Sequence, residues 1–276
     1  MSKTFVAAST IIGTIIGAGF LGIPYVIMKS GFFIGIIHLV LLAIILGITM
    51  LYLGEISQRT KKNHQLTGYA AKYLGKKGKI IMFLAIAFGI YAAILAYLIA
   101  EGQSLSFMFF GNTDYQFILG IAFWIFMSVL TYAGINALKE GETIGVVLIF
   151  ILVISISILM WNKIDINNLT YLNPENLFVP FGVILFAYLG FSVIPEVETI
   201  LGKDKNLMKR SIIIAHVFSF LVYLIFTLVV LGSQGLNTPP LSTLALGKAF
   251  VLLGMLTMFT SYLALSIALM DNLILD

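Results

Sequence analysis

Gly13, Gly17, Gly19, Gly22 and Pro24 fall inside the first apolar run of this chain, in the stretch GTIIGAGFLGIPYV, residues 13–26. The chemistry they offer is that of the backbone itself. Glycine lets a chain leave helical dihedrals and brings backbone close to a ligand. Pro24 removes a donor and loosens the turn before it. Freed N–H groups around Ala18, Gly19 and Phe20 would open a second half-helix, whose positive dipole end suits a carboxylate. Freed carbonyls from Gly13 through Ile15 and Ile16 suit an ammonium group or a cation. Together they would form a zwitterion receptor made of backbone. The competing reading is close helix packing through the Gly13–Gly17 GxxxG pair.

A second apolar run carries a related interruption. GFLGIPYV (19–26) and GFSVIPEV (190–197) share Gly, Phe, Ile, Pro and Val, five of eight positions. Unwound backbone within hydrocarbon survives only where it lines a polar cavity. Two Gly/Pro-interrupted helices in corresponding positions, running in opposite directions, are the mark of an inverted-topology repeat.

Ionisable residues inside apolar runs are costly and therefore candidates for function. Glu101 is expected near the outer end of its helix, close to water, as an extracellular gate or an interfacial carboxylate. Glu196 and Glu198 follow Pro195, and Glu196 is the candidate for an inner gate or a proton carrier. His38 and His216 stand alone, so hydrogen bonding to a neighbouring helix is the expected role of each. Residues 141–161 contain no cation past Glu142, which leans towards sodium rather than proton coupling. The spans contain no DxxxD or HExxH string for a membrane-embedded enzyme and no repeated filter motif for a channel. There is no cysteine, so thiolate sites and disulfides are unavailable.

These groups must be positioned by membrane helices. Of 276 residues 60% are hydrophobic and 10% charged, and the mean hydropathy is +1.07; a soluble domain carries about 25% charged residues. Spans of about 20 apolar residues fit roughly residues 5–28, 32–56, 80–109, 115–136, 141–161, 178–201, 211–233 and 246–272, eight in all. With the N-terminus cytoplasmic, 13 lysines and arginines lie inside and only Lys29, Lys163 and Lys248 outside, as the positive-inside rule requires. The chain is thus read as an all-α, multi-pass protein of the cell membrane, with lipid as a partner and nucleic acid excluded. HQLTGYAAKYLGKKGK (64–79) reads either as a short interfacial helix with Tyr69, Ala70, Tyr73 and Leu74 on one face, or as a solvated basic loop. NTPPLSTLAL (237–246) reads as an outer loop able to act as a lid.

GTIIGAGFLGIPYV and FGVILFAYLGFSVIPEV (181–197) resemble the first and sixth helices of the amino acid/auxin permease family, particularly its prokaryotic aromatic and hydroxy amino acid permeases. That group belongs to the amino acid–polyamine–organocation superfamily. The resemblance implies the LeuT-type five-plus-five inverted-repeat fold with helices 1 and 6 discontinuous. It implies a secondary transporter that moves a neutral, aromatic or hydroxylated amino acid by ion-coupled alternating access. It places the substrate carboxylate on Gly17, Ala18, Gly19 and Phe20, and the amino group at carbonyls near Ile15, Ile16, Phe186 and Ala187. Tyr91, Tyr188, Phe191 and Ser192 would shape the side-chain pocket. A sodium ion would sit between helix 1 carbonyls, including those of Gly13 and Ile16, and the hydroxyls of Thr260, Ser261 and Ser266. No cofactor is implied beyond the coupling ion, Na+ or H+. Residues 1–161 would be a whole first repeat and 178–276 a second repeat with three of its five helices. The chain is therefore expected to be a fragment of a ten- or eleven-helix protein.

Overall fold

Hydrocarbon offers backbone groups no hydrogen-bond partner, so a chain this apolar must close its N–H and C=O groups within helices. The computed structural model describes residues 2–62, 64–132 and 138–275, and their regular structure is helical. The one β-type contact among them is an isolated bridge between Gly31 and Leu172.

The first run divides into α1 (Lys3–Ile15) and α2 (Gly19–Ser30), which meet at a bend of 53°. Ser2 caps α1 by accepting from the Phe5 N–H. α3 (Phe32–Arg59) and α4 (Leu66–Phe110) follow. α4 is kinked at Gly75, where φ is 72° and only glycine fits comfortably. Its first section, residues 66–74, therefore forms a short helix of its own. Tyr69 and Ala70 are buried there, whereas Tyr73 and Leu74 are exposed. The four residues thus split between two faces rather than sharing one.

α5 (Gln116–Tyr132) and α6 (Leu138–Met160) precede a connecting segment of three short 3-10 turns. The sixth predicted run divides into α7 (Val179–Ala187) and α8 (Ile194–Leu201), with a 3-10 turn over Phe191–Val193 between them. α9 (Lys205–Gln234) is capped by Asp204, which accepts from the N–H groups of Asn206 and Leu207. α10 (Lys248–Leu275) closes the bundle. Among the described residues, six stretches are long and apolar enough to cross a bilayer, and the bent α1–α2 pair makes a seventh. α5 is apolar but only 17 residues long, and the predicted end of that span at residue 136 lies outside the described residues. Large apolar side chains such as Ile81, Phe88 and Phe117 point outwards, as lipid contact permits.

The interior falls into two hydrophobic clusters. One joins α1, α2, α3, α6 and α7–α9, with Phe250 and Met258 of α10 and Ala100 of α4, around Phe20, Tyr188, Tyr223 and Phe226. The other joins α4, α5 and α10 around Tyr97, Met127 and Tyr262. Ala18, Phe186 and Phe191, at the two interrupted helices, pack against the second cluster, and Ala18 and Phe191 also pack against the first. The breaks therefore lie on the seam between the two bodies.

Candidate functional site

The last carbonyls of a helix and its first N–H groups have no partner within it, so two broken helices supply four sets of such groups. α1 leaves helical geometry at Ile16, with φ −88° and ψ 81°. The Tyr223 hydroxyl of α9 lies 3.0 Å from the Ile15 carbonyl and 2.7 Å from the Ala187 carbonyl, which share its one proton. One side chain thus joins the C-terminal ends of α1 and α7. The head of α2 lies against the same place: a Cβ on Gly19 would stand 2.9 Å from Ala187 Cα and 3.0 Å from Phe186 Cδ1. Gly190, in the second break, lies against Ile15, whose Cγ1 would be 2.5 Å from an added Cβ. Only glycine allows either approach.

A cavity of about 50 Å³ lies between these breaks and α4. Ligand pockets typically enclose roughly 300–1,000 Å³, so admitting an amino acid requires the helices to part. Ile15, Gly19, Phe186, Ala187, Phe191 and Ser192 line it, joined by Thr14 and by the α4 stripe that includes Ile90, Ala93 and Tyr97. Ile16, Gly17 and Ala18 stand beside this lining, at the turn between α1 and α2. Phe20 and Tyr188 are turned away from the cavity into an aromatic column along α9. Phe20 stacks on Tyr223 at 6.2 Å and meets Phe226 edge-on at 5.1 Å. Tyr188 meets Tyr223 edge-on at 5.0 Å and stacks on His216.

Tyr91 projects from the outer face of α4 and is 60% exposed, whereas Tyr97 is 3% exposed and faces the seam. Six residues separate them, well short of two full helical turns, so they point in different directions. The absent Cβ of Gly17 would lie against the Tyr97 hydroxyl, 2.7 Å from its Cζ and 3.2 Å from Ser261 Oγ. Tyr97 was not among the residues singled out from the sequence, and neither were Thr14 and Tyr223. α4 is apolar on every face, so periodicity could not say which side turns inwards.

Of the three candidate ion ligands on α10, Ser261 reaches the break. Its hydroxyl lies 2.9 Å from the Gly13 carbonyl and 3.5 Å from that of Ile16. The Thr260 hydroxyl turns back to the Thr257 carbonyl of its own helix. Ser266 is half-buried and does not line the cavity.

The acidic residues also sort by position. Glu101, expected close to water, is 1% exposed, because it continues the inward stripe of α4 one turn beyond Tyr97. Glu198 forms an ion pair with Lys203. Glu198 also accepts from the Tyr69 hydroxyl at 2.6 Å. Lys203 Nζ donates to the carbonyls of Thr60 at 2.8 Å and Ser57 at 3.1 Å, and Gln58 donates to the Gly202 carbonyl at 3.0 Å. Burial, with the Lys72 ammonium nearby, holds the Lys203 pKa below the ordinary lysine value. This cluster ties the end of α8 to the end of α3 and to the short helix 66–74. Glu196 is half-buried, and its carbonyl accepts from the Thr199 hydroxyl.

The sequence pattern of the tryptophan/tyrosine permease family matches residues 1–245. The chain is similar to tyrosine-specific transport system 1 of Haemophilus influenzae, 25% identical over 246 residues, covering 86% of this chain and 59% of that one. Tyrosine-specific transport system 2 of the same organism is 29% identical over 240 residues, 84% of this chain and 58% of the relative. Glutamine transporter 2 of Aliivibrio fischeri is 23% identical over 244 residues, 85% and 62% of the two chains. The chain therefore spans about six-tenths of the length of these relatives.

Proposed function

This chain belongs to the tryptophan/tyrosine permease family, and we propose that it carries a neutral amino acid, aromatic or hydroxylated, across the cell membrane as the substrate-binding core of an ion-coupled permease. On this reading the bundle is of the LeuT type with eight spans and a cytoplasmic N-terminus. Residues 1–161 form one repeat and 178–276 the corresponding part of its inverted partner. The names of the relatives, which specify tyrosine and glutamine, support an amino acid as cargo.

The observation that carries the reading is the meeting of the two breaks, where Gly19 abuts Ala187 and Gly190 abuts Ile15. In this arrangement the head of α2, at Ala18, Gly19 and Phe20, receives the carboxylate. The carbonyls of Ile15, Ile16, Phe186 and Ala187 receive the ammonium group. Phe191, Ser192 and Tyr97 bound the space for the side chain, and Phe20 and Tyr188 set the wall behind it. Ser261 with the Gly13 and Ile16 carbonyls forms the candidate sodium site. The body built on α1, α2, α3 and α7–α9 rocks against the body built on α4, α5 and α10, along the seam where the site lies.

Purified chain in proteoliposomes tests this directly, with labelled tyrosine and imposed sodium or proton gradients. Saturable uptake is expected, and Gly19→Leu abolishes it by driving a branched side chain into Ala187. Equal uptake with and without that substitution would rule the site out.

The Glu198 cluster is read as the cytoplasmic closure. Glu198→Gln removes the charge that holds Lys203 and is expected to open the inner side more often. Since the chain has no cysteine, a single Ser192→Cys reporter can be labelled by an impermeant thiol reagent from the cytoplasmic face. Labelling is expected to be faster in the Glu198→Gln background. An unchanged rate would remove the cluster from the gate.

A further inference from the structure

Ile90, Ala93, Tyr97 and Glu101 succeed one another along α4 at spacings of three and four residues, so they stack on one face. The first three line the cavity, and Glu101 extends the stripe one turn farther towards the outer end. Its side chain is 1% exposed. Neither carboxyl oxygen has a hydrogen-bond partner, and the Ser104 hydroxyl beyond it has none either.

Among the described residues, no cation forms an ion pair with Glu101. α5 contains no charged residue, and its one tyrosine, Tyr132, is exposed. On α10, Lys248 donates to the Met108 carbonyl and Tyr262 meets Phe123 edge-on. On α2, Lys29 stands over the Tyr25 ring. In the adjoining loop Asp114 is exposed. The ion pairs Arg59–Glu55 and Lys203–Glu198 lie at the other ends of the helices, away from Glu101. An ionised carboxylate so enclosed would have neither water nor a counter-charge, whereas the neutral acid meets a far smaller burial cost.

We infer that Glu101 is a proton-binding site of the transport cycle, an inference that rests on the permease reading above. The carboxylate gains one proton from water when the outer side is open and is enclosed as the neutral acid. It returns that proton to water when the inner side opens, and no other bond changes. The four-residue step from Tyr97, whose hydroxyl abuts Gly17, places the acid beside the substrate site, so both respond to the same parting of helices.

Infrared difference spectroscopy of the purified, reconstituted chain across a pH titration reads the carbonyl stretch of a protonated carboxyl directly. One such band is expected to disappear in Glu101→Gln and to return, displaced, in Glu101→Asp. In proteoliposomes with an inward proton gradient, Glu101→Gln is expected to lose accumulation of tyrosine above equilibrium, and Glu101→Asp to recover part of it. An infrared band that survives in Glu101→Gln, or proton-driven accumulation that survives in it, overturns the inference. Failure of the wild-type chain to take up any amino acid would instead overturn the permease reading, and the infrared result would still decide whether Glu101 holds a proton.

Discussion

On the permease reading proposed above, Gly17→Ala is expected to weaken tyrosine binding by at least about tenfold, the equivalent of about 1.4 kcal/mol, while the fold survives. The added methyl would stand 2.7 Å from Tyr97 Cζ, closer still to the hydroxyl, and 3.2 Å from Ser261 Oγ. Neither neighbour can yield freely. Tyr97 is 3% exposed and packed in the cluster of α4, α5 and α10, and Ser261 is held at the Gly13 carbonyl. Overpacking of this kind costs about 1–3 kcal/mol of stability, well within what a membrane bundle survives. The larger consequence falls on geometry, because Tyr97 lines the cavity and a displacement of about 1 Å at such a site can cost on the order of a hundredfold. Equilibrium binding of labelled tyrosine, measured beside a thermal unfolding curve, separates the two effects. Tyr97→Phe removes the atom closest to the new methyl, so the double variant is expected to recover part of the lost affinity. Wild-type affinity in Gly17→Ala would show that the turn between α1 and α2 is slack.

Tyr223→Phe has the second large effect. The substitution deletes one hydroxyl and keeps the ring, so the stack on Phe20 and the edge contact with Tyr188 persist. It leaves the Ala187 carbonyl without its donor and the Ile15 carbonyl with the Gly17 N–H alone. A buried polar group stripped of its partner costs about 1–3 kcal/mol, so the unfolding temperature falls. Ile15 and Ala187 also line the cavity, where an amino acid's ammonium group can supply the missing hydrogen bonds. Tyrosine is therefore expected to raise the unfolding temperature more in the variant than in the wild type. Hydroxyphenylpropionate, which lacks only the amino group, is expected to show no such gain. Equal thermal shifts from the two ligands would mean that the ammonium group does not reach these carbonyls.

Both predictions concern residues whose importance was only partly legible in the sequence. Gly17 was visible because glycine and proline inside an apolar run have few structural uses, and the match of residues 19–26 with 190–197 gave the two runs a direction. Tyr223 was invisible. It is one of several aromatics in α9, and its value comes from two carbonyls 208 and 36 residues away. Glu198 and Glu196 illustrate the same limit two residues apart. Both follow Pro195, yet the helix turns Glu198 towards Lys203 and Tyr69.

What the sequence determined by itself was the helical class, the membrane-scale length of the apolar runs and the places where two of them break. Bilayer thickness and the obligation to pair every backbone group leave a chain of this composition little else. The tertiary structure alone decided which side of each helix faces inwards. It turned Tyr97 rather than Tyr91 to the seam, buried Glu101 and moved Phe20 and Tyr188 behind the cavity. In a soluble helix the boundary between polar and apolar faces marks the inner side. Here lipid and protein interior are equally apolar, so that mark is absent and packing between helices makes the choice.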